Sequence, residues 1–119
     1  MIGVAQQARV FLVVDPVDMR GSFDALVGRV RRLGHDPLDG SLYVFLGKRR
    51  QLTKVVYFDG SGLVILQKRL ERGTFELPEV KEGIDRVHVD GATLTALLAG
   101  VKLNAPRRRW FRREVAVRT

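Results

Sequence analysis

Three β-rich runs lie within one short stretch of chain: SLYVFL at residues 41–46, LTKVVYF at 52–58 and LVILQKRL at 63–70. Branched and aromatic side chains suit a pleated, half-buried surface. The two joins, GKRRQ at 47–51 and DGSG at 59–62, hold residue types that tolerate tight turns. The three runs read as an antiparallel meander. If the second turn is centred on Gly60-Ser61, Val55 faces Leu66, Tyr57 faces Val64 and Lys54 faces Gln67. One face of that hairpin is then apolar for most of its length. The other turns polar at its far end, where Lys54, Gln67 and Arg69 approach Lys48, Arg49 and Arg50.

The flanking sequence completes an α+β pattern. ARVFLVV at 8–14, ended by Asp15-Pro16, is apolar almost without interruption and predicts a central strand buried on both faces. Phe23, Leu26, Val27, Val30 and Leu33 recur at helical spacing, with Ser22 placed to cap and Gly34 to terminate. Arg31 and Arg32 fall in the last turn, where the helix dipole favours cations. Downstream, Glu71-Arg72-Gly73 predicts a turn, and residues 74–77 a short edge strand stopped by Pro78. Residues 86–89 predict one more short strand. Asp90 caps a second helix carrying Leu94, Leu97, Leu98 and Val101 on one face, ended by Gly100. The expectation is a single small α+β domain over residues 1–105, an antiparallel sheet of four to five strands with two helices. Residues 106–119 read as a basic, mobile tail.

A chain of 119 residues fits one domain. No apolar run approaches the roughly 20 residues a membrane-spanning helix needs, and residues 1–9 do not read as a secretory signal, so a cytoplasmic location is expected. The absence of cysteine excludes disulfides, a thiol nucleophile and thiolate metal sites. The distinctive quantity is a formal charge of +8, the footprint of a protein that meets a polyanion. That excess is localised. Residues 47–72 hold seven basic and two acidic groups, and residues 102–119 seven basic and one acidic, whereas the remainder is balanced or acidic.

The motifs PVDMR at 16–20, LGHDP at 33–37, YVF at 43–45, KVVYFDGSGL at 54–63, KRLERGTF at 68–75 and TLTALLAG at 93–100 follow one another in a specific order. In this, the chain resembles the TnpB-type accessory protein of bacterial insertion sequences of the sixty-six family, from about Val10 to Gly100. It departs from the family's pattern at Gly21-Ser22, commonly a Lys-Gly pair, and near Phe58, where a Trp is common. The resemblance implies a protein encoded beside a separate transposase and needed with it for transposition.

Catalysis has little to stand on. A metal-dependent nuclease needs clustered carboxylates, and Asp15, Asp18, Asp24 and Asp59 each suit a turn or a helix start. His35 and His88 lack metal-ligand spacing, and no phosphate-binding glycine loop is present. Neither catalysis nor a metal or cofactor is expected. The expected chemistry is electrostatic contact with DNA. Arg20 lies in a loop before a helix N-terminus, where it can meet a phosphate or pair with Asp15 or Asp18. Lys48, Arg49, Arg50, Lys54, Lys68, Arg69 and Arg72 form a strand-and-turn basic surface suited to phosphates. In the tail, Arg107, Arg108, Arg109, Arg112 and Arg113 interleave with Trp110 and Phe111, which allows stacking on bases or simple solvation. Two other readings stay open: an adaptor that binds the transposase with little DNA contact, and the metal-dependent nuclease.

Overall fold

In the computed structural model residues 9–100 are described in full and residues 111–116 by their backbone. The first apolar run becomes β1 (Val10–Val13), every residue of it buried. Helix α1 (Phe23–Arg32) then carries the chain over one sheet face to β2 (Leu42–Leu46). β1 and β2 are consequently parallel, Val10 opposite Leu42, and the sheet is mixed rather than wholly antiparallel as the local patterns led us to expect. The cause is the helix itself: a crossover of this length returns the chain in its starting direction. β3 (Leu52–Phe58) and β4 (Leu63–Arg69) complete the meander, with Val55 opposite Leu66, Tyr57 opposite Val64 and Lys54 opposite Gln67, the register expected for a turn centred on Gly60-Ser61.

β5 (Ile84–Val89) pairs antiparallel with the free side of β1, and α2 (Gly91–Leu98) follows at once. A strand from the segment read as a tail, β6 (Phe111–Ala116), pairs antiparallel with β5, giving the order β4-β3-β2-β1-β5-β6. No amphipathic pattern marks this segment. Backbone pairing against an existing strand requires none. Residues 101–110 and 117–119, with Val101 and Pro106, lie outside the described residues. The edge strand expected at 74–77 does not form. Phe75 is instead fully buried as a plug under the sheet, its N–H donating to the Arg50 carbonyl at 2.6 Å.

Each sheet face has its own core. Leu26, Val30 and Leu33 of the α1 segment pack on Phe11, Val13, Tyr43, Phe45 and Val56. Leu94 and Leu97 of α2, with Phe75, cover Val10, Leu12, Val44, Val55 and Val87 on the opposite face. Phe23 departs from the expected stripe and stays 42% exposed. Ser22 occupies the cap position without a side-chain bond, whereas Asp90 accepts from the Thr93 N–H at 2.7 Å.

Two buried residues among those described, Lys54 and Arg86, are cations, and Arg86 is the deeper. Arg86 of β5 is wholly inaccessible; its Nη1 donates to Asp85 Oδ1 at 2.7 Å and its Nε to His35 Nε2 at 2.9 Å. Its Nη2 is buried with no hydrogen-bond partner among the described residues. Phe11 packs against both imidazoles, 4.5 Å from His35 and 5.2 Å from His88 between ring centres.

Candidate nucleic-acid interface

The PVDMR segment leaves β1 and folds back along the end of the sheet. Val17 N–H donates to the Leu46 carbonyl at 3.0 Å, so the loop runs beside the turn that follows β2. Gly47 is buried in that turn, and a Cβ there would lie 2.7 Å from Met19 Cγ; Met19 rests directly on the glycine backbone. The loop and turn, with the last residue of β4, enclose an open cleft of about 710 Å³. Arg20, Lys48, Arg49, Arg50 and Arg69 line it, against one carboxylate, Asp18. Residues far apart in sequence thus converge because β1, β2 and β4 end at the same side of the sheet.

Arg20 is paired with Asp18 at the surface. Its backbone N–H donates to Asp18 Oδ1 at 2.9 Å, Nε to Oδ1 at 3.0 Å and Nη2 to Oδ2 at 2.8 Å, while its side chain remains 92% exposed. These bonds, the side-chain ones foremost, hold the Asp18 carboxyl down to about 2 and raise the Arg20 guanidinium further. A depressed carboxylate pKa means the pair is intact at higher pH and is lost only as pH falls through that value.

Arg50 has φ of 56°, the only positive value at a non-glycine among the described residues. That conformation is disfavoured for a side chain with a Cβ. It is fixed from both sides: the Arg50 N–H donates to the Gly47 carbonyl at 2.9 Å, and its own carbonyl accepts from Phe75. An arginine therefore stands where the backbone favours glycine or asparagine.

The other residues of the expected surface lie elsewhere. Lys54 is buried, its ammonium donating to the Gly21 carbonyl at 2.7 Å, so it tethers the PVDMR loop from beneath. Lys68 donates to the Leu98 carbonyl at 2.6 Å, at the C-terminal end of α2 on the opposite face, where the dipole favours a cation. Arg72 is exposed in the turn beyond the cleft lining. Arg107, Arg108, Arg109 and Trp110 lie outside the described residues, and Arg112 and Arg113 fall in β6.

Arg29 and Arg32, which the sequence places on the exposed face of the first helix, are not among the DNA contacts expected from it. They line a second cleft of about 370 Å³ with Gly21 and Ala25, and it shares Pro16, Val17 and Asp18 with the first. The i, i+4, i+8, i+11 spacing of Gly21, Ala25, Arg29 and Arg32 is the signal that marks this helix face. The four aspartates considered as metal ligands do not assemble; among the described residues no group of three or more metal-ligating side chains occurs. Asp59 is committed to its own turn, its carboxylate accepting from the N–H groups of Ser61 and Gly62 at 2.9 Å each, bonds that lower its pKa.

The profile of a family described as IS66 Orf2 like protein matches residues 8–108. Two proteins of Sinorhizobium fredii are similar over nearly their full length. Uncharacterized protein y4hO is 37% identical, covering 92% of this chain and 95% of its own, and Uncharacterized protein y4jC is 34% identical, covering 98% and 99%. No solved structure matches the chain. No helix among the described residues is long and apolar enough to cross a membrane.

Proposed function

The chain belongs to the IS66 Orf2-like family, accessory proteins of insertion sequences, and on that premise we propose that it supports transposition as a non-catalytic DNA-binding protein. The cleft between the PVDMR loop and the 47–51 turn is the surface that meets DNA. The observation that carries this reading is the convergence there of Arg20, Lys48, Arg49, Arg50 and Arg69, with Arg29 and Arg32 continuing the cationic track along α1. Such contacts neutralise phosphates and set register without reading bases. The protein acts with the transposase of the same element, on DNA, in the cytoplasm.

An adaptor reading is favoured by a different feature. β4 is an end strand of the sheet and pairs only with β3 among the described strands. An open edge of this kind can take an extended segment of another protein. A salt series separates the two. Binding of labelled DNA through three or more phosphates falls with a slope of about 3 or steeper in log K against log salt, at about 0.9 per phosphate. No DNA binding at low salt would contradict the DNA reading and leave the adaptor.

A further inference from the structure

We propose that the main cleft receives an unpaired nucleotide of a DNA strand, its base against the cleft floor and its phosphates on the surrounding cations. This rests on the DNA-binding reading and deepens it. Phosphate neutralisation alone needs only an exposed basic surface, and this site is more than that. Its cations are exposed, whereas Val17, Met19 and Leu52 are half-buried beneath them. The cavity, about 710 Å³, lies in the range of about 300–1,000 Å³ that encloses a small organic molecule.

A duplex has nothing to place in such a site. It presents phosphates, sugars and base edges, while its base faces are stacked on one another. An unpaired nucleotide carries both complements at once, an apolar base face and an adjoining phosphate. Arg20 suits the same ligand. With Nε and Nη2 bonded to Asp18, the guanidinium plane is oriented and, being 92% exposed, offers a face on which a base can stack as well as a cation for the adjoining phosphate. Lys48, Arg49 and Arg50, with no carboxylate bonded to them among the described residues, supply the unanswered charge.

The test compares the full chain's affinity for a labelled single strand, the same strand with every base removed, and the corresponding duplex, each across a salt series. The intact single strand is expected to bind about tenfold tighter than the abasic one, within the range for one stacked base. Two variants keep every charge. Gly47→Ala displaces Met19 from its seat on the backbone, and Met19→Gln makes the floor polar. Each folded variant is expected to reduce the tenfold ratio to about twofold or less with the salt slope unchanged. Equal, salt-dependent binding of all three ligands overturns the nucleotide site and leaves the phosphate reading standing. A preference for the intact strand that neither variant alters also overturns it, because the base is then held elsewhere. Absence of binding to any ligand sinks both readings.

Discussion

Neutralising Lys48, Arg49 and Arg50 together, as Lys48→Gln, Arg49→Gln and Arg50→Asn, lowers DNA affinity by roughly 10²–10³-fold near 0.1 M salt and reduces the salt slope by about 2 to 3. The magnitude follows from counterion release, about 0.9 for each phosphate that is no longer neutralised. The fold survives, because the turn is held by backbone bonds, from Arg50 N–H to Gly47 and from Phe75 N–H to Arg50, that these changes leave in place. Arg50→Asn alone separates charge from scaffold. Asparagine tolerates the left-handed conformation, so stability rises by up to about 1 kcal/mol while DNA affinity falls. Binding measured by fluorescence anisotropy and stability by urea titration check the two halves. A triple variant that binds with unchanged slope would place the DNA-binding surface outside this turn.

Asp85→Ala destabilises the protein by about 3–5 kcal/mol, the range for removing one partner of a buried ion pair. Arg86 is fully buried, and Asp85 supplies the carboxylate bonded to it, at 2.7 Å. Without it, a guanidinium whose Nη2 already lacks a described partner keeps, among the described residues, the His35 bond. Such a loss is a large share of the roughly 5–15 kcal/mol that holds a typical domain together. Arg86→Met removes the charge together with its desolvation cost and is expected to destabilise less. Urea unfolding of the two variants tests this. A loss under about 1 kcal/mol for Asp85→Ala would mean that the guanidinium is not deprived of water as its burial implies.

Much of this architecture was legible in the sequence because it rests on local patterns. The β3–β4 register followed from turn chemistry at Gly60-Ser61, α1 from the spacing of Leu26, Val27 and Val30, and the α2 start from Asp90. Strand neighbours were less accessible. β5 was visible as a short run, but its place beside β1 depends on long-range pairing that no local pattern encodes, and β6 depends on it in turn. The site divides in the same way. The charges of Arg20, Lys48, Arg49, Arg50 and Arg69 are plain in the sequence, whereas the cleft that these residues line together arises from the shared end of β1, β2 and β4. Lys54 and Lys68 carry the same charge in sequence and are diverted, one beneath the loop and one to the helix terminus, by hydrogen bonds across 33 and 30 residues.

The most direct measurement of the central claim is a DNA titration of isotope-labelled protein followed by backbone amide shifts. Saturable shifts concentrated at Val17–Gly21, Gly47–Gln51 and Arg69, extending to Arg29 and Arg32, are predicted. Shifts confined to α2 or to the outer edge of β4, or no shifts at low salt, would contradict it.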